Sequence, residues 1–218
     1  MRGLAVALIV MTLGAAVLAG ALGSERSGHF DPALSRRNYP CSWDPSQNPE
    51  PLWPDFESWF GAALRGANEP SLYRQAQADP SKETLRLTFL PSFTDTLIVR
   101  IDDLHGPRPR LTAVRYQGQV IATAGNTLTR YLSQDDVRPL RSLVASTEVL
   151  SLSPDSCLTG IDGVIYLIEA AGPDGYHFIN RWGIAEGPVY DVANEMYRLT
   201  GWPNGPQGPD RQRATYTF

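Results

Sequence analysis

The segment that most constrains the fold is GVIYLIEAAGPDGYHFINRW, at residues 163–182. Its first nine residues are mainly apolar or β-branched, GPDG supplies turn residues, and residues 176–182 include three aromatic side chains. This order predicts a strand, a tight turn and a returning strand. The sequence therefore predicts an antiparallel hairpin near the end of the chain.

Three more strands are predicted ahead of this hairpin, because apolar and polar residues alternate there with a period of two. In the first of them, Leu85, Leu87 and Phe89 alternate with Arg86 and Thr88. Short segments rich in turn residues separate the strands, which favours an antiparallel meander. The predicted strands cover residues 84–90, 96–101 and 110–118, and residues 119–132 are expected to add one or two more.

Helices are predicted before, between and after these strands. Residues 55–66 form an amphipathic pattern that Asp55 can cap and Gly66 can end, and residues 71–81 suit a second short helix. The last helix spans residues 187–201, with proline at its first position and glycine at its end. The order of elements predicts a single α+β domain, an antiparallel sheet with two to four helices packed on it.

The helix near residue 134 has two possible starting positions. Ser133 and Asp136 have the spacing of a capping box, which starts the helix directly after Ser133. A start near Asp135 or Asp136 would instead leave Pro139 in the first turn, where proline is tolerated. In both cases, Asp135 and Asp136 are interpreted as capping residues rather than as a catalytic pair.

The first 23 residues are predicted to be a signal peptide or an N-terminal anchor. Arg2 precedes an uncharged, largely apolar run at residues 3–24, and small residues near its end suit cleavage. The run is also long enough to span a bilayer if it is not cleaved. Both alternatives predict an exported domain, periplasmic or extracellular, with membrane contact only through residues 3–24.

Composition and proline content divide the rest of the chain. Residues 24–54 contain six prolines, which excludes a helix or a central strand and predicts a proline-rich arm. The globular domain is expected at residues 55–201, followed by a loose tail at residues 202–218. The net charge of −4 and the lack of a basic stripe make nucleic acid a poor partner.

Two cysteines, Cys41 and Cys157, occur in the chain. An oxidising compartment favours their pairing, and the long loop closed would contribute about 4–5 kcal/mol in the chain-entropy model. The alternative is two separate buried thiols.

The hairpin and the segments before it resemble a family of small, uncharacterised, exported bacterial proteins. The resemblance extends from about residue 85 to residue 201, through RLTFLPSFTDTLIVRI, LSQDDVRPLRSLV and the DG–strand–E, G–YH–RW hairpin that precedes the last helix. Tyr166 stands where the family usually has tryptophan. The resemblance implies an exported domain and no established activity.

The strongest candidate for chemistry is the set Glu169, His177 and Arg181. His177 and Arg181 share a strand face, and a loop of three or five residues would place Glu169 beside His177. A loop of two or four residues would place Glu169 on the opposite face. The first geometry suits a hydrolase-like general base with an anion contact, and the alternative interpretation is a polar cluster that stabilises the hairpin.

Other candidates are weaker. Asp102, Asp103 and His105 could hold a divalent ion, although a solvated turn explains them as well. Aromatic side chains could line a binding groove, or they could be core. The candidates for a groove are Trp182, Tyr176 and Tyr166, together with Trp59, Phe60 and Trp202.

No motif for a cofactor or a metal occurs in the sequence, and none is expected. The favoured prediction is therefore a non-catalytic module of the bacterial envelope that binds a protein, a peptide or a cell-wall component. The alternative is an enzyme that uses Glu169 and His177, with Arg181 as the anion contact.

Overall fold

The computed structural model describes residues 28–35, 38–39, 50–51, 56–92, 94–116, 127–155 and 162–203. The predictions for the apolar segment, for Cys41 and Cys157 and for residues 204–218 lie outside these residues. The described residues form a six-stranded antiparallel sheet with four α-helices, so the predicted α+β class is confirmed. None of the helices in this part of the chain is both long and apolar enough to cross a membrane.

The elements follow the predicted order. The helices are α1 (Phe56–Gly66), α2 (Leu72–Ala78), α3 (Gln134–Thr147) and α4 (Pro188–Arg198). The strands are β1 (Asn38–Tyr39), β2 (Glu50–Pro51), β3 (Thr84–Pro91), β4 (Thr96–Asp102), β5 (Arg110–Tyr116), β6 (Thr127–Tyr131), β7 (Val164–Gly172) and β8 (Gly175–Trp182). Strands β1 and β2 pair only with each other, and the main sheet has the order β6-β5-β4-β3-β7-β8. Strand β3 is therefore central, although it is the first of the six along the chain.

Helices cover both faces of the sheet. On the α3/α4 face, Leu85, Leu87 and Phe89 pack in one cluster with buried residues of those two helices. On the opposite α1/α2 face, Leu90 packs with buried residues of α1, while α2 buries Leu72 and Ala76 against Ala171. Every residue from Thr84 to Leu90 is consequently buried, including the polar positions that alternate with the leucines. A strand between two helix layers has no solvent face.

The domain begins well before the predicted boundary at residue 55. His29 and Phe30 are 2% and 3% exposed, and Leu34, in a 3-10 turn at Pro32–Ser35, is 6% exposed. The main-chain N–H groups of His29 and Phe30 donate to the two carboxylate oxygens of Glu57, at 2.7 and 3.2 Å. Part of the segment predicted to be a proline-rich arm is therefore core of the α1/α2 face.

The capping interpretation of Ser133 and Asp136 is confirmed. The Ser133 hydroxyl accepts from the main-chain N–H of Asp136, whose carboxylate accepts from the main-chain N–H of Ser133. Helix α3 starts at Gln134, so Pro139 lies inside the helix rather than in its first turn. The alternative start at Asp135 or Asp136 is wrong, because the reciprocal cap at Ser133 fixes the beginning of the helix.

Candidate functional site

The length of the β7–β8 turn decides whether Glu169 and His177 lie on the same face of the sheet. Gly172 pairs with Gly175, so the turn has two residues, Pro173 and Asp174, and Gly175 has a φ of +94° that suits glycine. This register pairs Glu169 with Phe178, and Ala170 with His177. Because neighbouring residues of a strand point to opposite faces, Glu169 and His177 lie on opposite faces of the sheet. The hypothesis of a general base built from these two residues is therefore wrong.

Glu169 forms an ion pair with Arg86 on the α1/α2 face. The two residues lie directly opposite each other on β7 and β3, and both side chains are fully buried. Nε and Nη2 of Arg86 donate to Oε2 of Glu169 at 3.0 and 2.5 Å, and the Tyr176 hydroxyl donates to Oε1 at 2.8 Å. Burial raises the pKa of the Glu169 carboxyl, while the Arg86 guanidinium and the Tyr176 hydroxyl oppose that rise.

Three further side chains extend this pair into a buried ion-pair network of Glu69, Arg86, Arg100 and Glu169, with His29 at its side. Nη1 of Arg86 donates to the main-chain oxygen of Pro70 at 2.6 Å and lies 3.5 Å from Oε2 of Glu69. Arg100 donates to the same Oε2 at 2.7 Å. Arg100 also lies 3.3 Å from the Asp102 carboxylate through its Nε, so each guanidinium in the network faces two carboxylates.

His29 stays neutral within this network. Its Nε2 lies 3.4 Å from Nη2 of Arg86. Burial first, and then the charge of Arg86, lower the pKa of His29 from 6.5 to about 3. Sequence reasoning identified only Glu169 and Tyr176 here and missed Arg86, Glu69, Arg100 and His29. The signal that could have found the network is one arginine inside each of two neighbouring apolar strands, at Arg86 and Arg100.

Replacing Tyr176 with phenylalanine is expected to lower the free energy of unfolding by about 1.5–3 kcal/mol, because a buried carboxylate loses a hydrogen bond. Urea-induced unfolding at pH 7 measures the change. Tyr131→Phe is the matched control, since the Tyr131 side chain lies at the surface and its residue is 60% exposed. Equal stability of the two variants would contradict a stabilising role of the Tyr176 hydroxyl.

His177 and Arg181 share the α3/α4 face, as predicted, but they contact main-chain oxygens. Nδ1 of His177 lies 3.0 Å from the oxygen of Leu150, and Arg181 donates to the oxygens of Ser153 and Asn180 at 3.0 and 2.7 Å. Burial lowers the pKa of Arg181. Both side chains hold the segment after α3 against β8. Arg181 is therefore occupied by internal contacts rather than placed beside a carboxylate–imidazole pair.

The aromatic candidates for binding are used in packing. Tyr166 is 3% exposed and makes edge-to-face contacts with Phe89 and Tyr190. Tyr176 makes an edge-to-face contact with Tyr73 in addition to its bond to Glu169. A Cβ at Gly163 would lie 2.9 Å from the indole of Trp182, so that ring packs directly on the start of the hairpin.

The other three aromatic candidates are divided between core and surface. Phe60 is 2% exposed and belongs to the core, Trp202 is partly buried against the core of the α3/α4 face, and Trp59 is 48% exposed.

The second candidate set, Asp102, Asp103 and His105, is also divided. Asp102 accepts hydrogen bonds from Arg110 at 2.9 Å and from Thr84 at 3.1 Å. His105 binds Glu83 through Nδ1 to Oε1 and through its main-chain N–H to Oε2 at 2.9 Å. A carboxylate–imidazole pair therefore exists, but its carboxylate belongs to Glu83. Within the described ranges, no group of three or more histidine, cysteine or acidic side chains is placed to hold a metal.

One histidine from each candidate set reaches the same cavity, at the turn end of the β7–β8 hairpin. This hairpin-end cavity has a volume of about 70 Å³. Glu83, His105, Asp174 and His177 line it. Its apolar lining comes from Leu85, Leu104, Val144, Leu150, Ala170 and Ala171.

The two edges of the sheet differ. At the β8 edge, the N–H of Asn180 donates to the oxygen of Pro154 at 2.7 Å, and Asp155 forms a parallel bridge to Asn180. At the other edge, β6 pairs with β5 only, and no residue that the structure describes pairs with its outer side. Thr129, Arg130 and Tyr131 of β6 are exposed, and no strand among the described residues pairs with their outer side, so the edge is open at these three residues.

Two exposed arginines, Arg108 and Arg110, lie at one end of this edge. Residues 104–134 contain four arginines and neither aspartate nor glutamate, in a chain whose net charge is −4. The Arg108 guanidinium lies 4.3 Å from the centre of the Tyr131 ring, a cation–π contact at the end of β6. Arg110, opposite Tyr131 on β5, remains partly exposed beside Asp102. Arg115 and Arg130 donate to internal acceptors and Arg110 is paired with Asp102, so the expectation that the chain lacks a basic stripe stays a prediction.

No protein-family model, no curated protein and no solved structure matches the chain. The fold alone defines the class, a single α+β domain with a helix layer on each face of an antiparallel sheet. The resemblance to small exported bacterial proteins stays a prediction.

Proposed function

We propose that this protein is a non-catalytic, exported module of the bacterial envelope that binds an extended acidic segment of a partner protein along β6. The observation that supports the proposal is the difference between the two edges of the sheet. The chain itself covers the β8 edge through Pro154 and Asp155, whereas the β6 edge is open among the described residues.

An open edge can take another strand. It presents main-chain N–H and C=O groups in a row, and natural proteins usually block such a row with charges, prolines, bulges or a covering segment. Strand β6 has the sequence TLTRY, with one charge and no proline. An added strand gains main-chain hydrogen bonds from such an edge, and side chains on alternate positions then select the partner.

Charge complementarity favours an acidic partner. The side chains of Thr129 and Tyr131 lie on the α1/α2 side of β6 and are exposed. Arg108 and Arg110 stand at the end of this row, and both are exposed. A carboxylate on an added strand would meet a guanidinium there, and such pairs form short, strong hydrogen bonds.

The geometry of the predicted catalytic residues supports a binding role over the enzymatic alternative. Glu169 is buried in the ion-pair network, and His177 and Arg181 contact the segment after α3. The export part of the proposal depends on the apolar run at residues 3–24, which is a feature of the sequence.

Peptide binding tests the proposed function. The probe is a blocked, fluorescent peptide of about eight residues in which threonine and glutamate alternate, a length that suits one strand. The control is the same peptide with lysine in place of each glutamate. The glutamate peptide is expected to bind at least about tenfold more tightly, with an affinity that falls as salt rises. Hydrogen exchange should show new protection at residues 127–131.

Substitutions at the centre of β6 locate the binding site. Thr129→Glu is expected to weaken binding of the glutamate peptide about tenfold or more, because it places a like charge on the edge. Thr129→Arg should retain binding. Ser146→Glu introduces the same charge on the exposed surface of α3 and is the control. Equal affinity of both peptides, or equal binding by all three variants, would refute the proposal.

A further inference from the structure

We propose that the hairpin-end cavity binds a primary ammonium group attached to a short alkyl chain. This site is separate from the β6 edge, since it lies where the β7–β8 turn meets the start of β3 and the loop between β4 and β5. The inference does not depend on the proposed peptide-binding function.

The charged groups around the cavity select a cation. Its ionisable lining residues are Glu83, Asp174, His105 and His177, and no arginine or lysine is among them. Two carboxylates therefore face a cavity that contains no permanent positive charge. An anionic ligand would be repelled by these carboxylates, whereas a cation would be attracted.

The hydrogen bonds of the two histidines determine what kind of cation fits. Nδ1 of His177 faces the main-chain oxygen of Leu150, and Nδ1 of His105 faces the Glu83 carboxylate. Both partners are acceptors, so a ring that carries a single proton holds it on Nδ1, and its Nε2 then has a lone pair. Such an Nε2 and the carboxylates of the lining are acceptors, whereas a primary ammonium supplies three N–H donors.

The size and walls of the cavity limit the rest of the ligand. The volume is about 70 Å³. Since each water in a cavity needs about 10–15 Å³, there is room for roughly five to seven non-hydrogen atoms. Leu85, Leu104, Val144 and Leu150 form apolar walls beside the polar groups. A chain of about four methylene groups with a terminal ammonium matches this room and these walls.

The test uses the ring resonances of the three histidines in the purified full chain, followed during titration with n-butylammonium chloride. His105 and His177 are expected to shift and saturate, with a dissociation constant on the order of 1 mM for so small a ligand. His29 is the internal control, because it is buried on the opposite face of the sheet. n-Butanol and tetramethylammonium should produce no saturating shift, since one lacks the charge and the other lacks the N–H donors.

Glu83→Gln is expected to weaken binding of n-butylammonium at least tenfold. Glu186→Gln, at an exposed glutamate before α4, should leave the affinity unchanged.

A blocked Gly-Lys-Gly peptide distinguishes the source of the ammonium. Tighter binding than n-butylammonium identifies a lysine side chain of a protein, and weaker binding identifies a free amine. The inference is overturned if neither His105 nor His177 shows a saturating shift up to about 50 mM. It is also overturned if n-butanol or tetramethylammonium acts like n-butylammonium, or if Glu83→Gln binds as the parent does.

Discussion

Replacing Arg86 with leucine is expected to destabilise the folded protein by about 3–5 kcal/mol, because the Glu169 carboxylate is then left buried without its counter-charge. Both side chains of the pair are 0% exposed, so water cannot replace the lost guanidinium. The Tyr176 hydroxyl remains as a donor to Glu169 but supplies no charge. The free energy of unfolding in urea at pH 7 measures the loss.

The double substitution Arg86→Met with Glu169→Leu tests the physical reason for this loss. An apolar pair of similar volume removes both buried charges, so the double variant is expected to be more stable than Arg86→Leu alone. Arg138→Leu removes an arginine from a surface ion pair with Asp135 and should change the stability by less than about 1 kcal/mol. A loss for Arg86→Leu no larger than that for Arg138→Leu would contradict the network's role in stability.

Acid is expected to destabilise the protein through His29. The unfolded chain protonates this residue near pH 6.5, whereas the folded protein holds the pKa at about 3. Stability falls with decreasing pH wherever the unfolded state binds more protons than the folded state. The stabilisation from neutral His29 is therefore complete above pH 6.5 and is lost as the pH falls towards 3. At about 1.4 kcal/mol for each pH unit, this group accounts for a loss of up to ~5 kcal/mol.

His29→Gln isolates that contribution, because an amide oxygen can accept from Arg86 but does not titrate. Urea unfolding at several pH values between 7 and 3.5 should give a flatter dependence for this variant than for the parent. His105→Gln, at a side chain that is 57% exposed, is expected to retain the steep loss. A parent and a His29→Gln variant with parallel curves would show that His29 is not the group that titrates.

The strands and helices were predictable because their signals are local. The alternation in β3, the cap at Ser133 and the Pro188 start of α4 each depend on residues a few positions apart. The number of layers was not predictable. Alternation in β3 is typical of a strand with one solvent-exposed face. Nothing near Arg86 in the sequence indicates that residues 28–34, α1 and α2 cover that face.

The candidate site was less predictable, because it depends on strand register. GPDG permits turns of different length, and a shift by one residue exchanges every side chain between the two faces. The two-residue turn places Glu169 opposite Phe178 rather than His177, and the register of β3 with β7 places it opposite Arg86. Likewise, Glu83 meets His105 only because β3 and β4 pair Thr84 with Asp102, which brings together residues 22 apart in the sequence.

The central position of β3 has a consequence for how the chain acquires its structure. The Arg86–Glu169 ion pair joins residues 83 apart, and β7 pairs with β3 on the side away from the meander β3-β4-β5. Folds that depend on such distant pairings form slowly, because the entropy of closing the intervening loop is lost before the new contacts compensate for it. During synthesis, the outer edge of β3 stays exposed and Arg86 lacks its Glu169 partner until the last hairpin emerges. A fragment that ends before residue 163 is therefore an aggregation-prone sheet rather than a smaller domain.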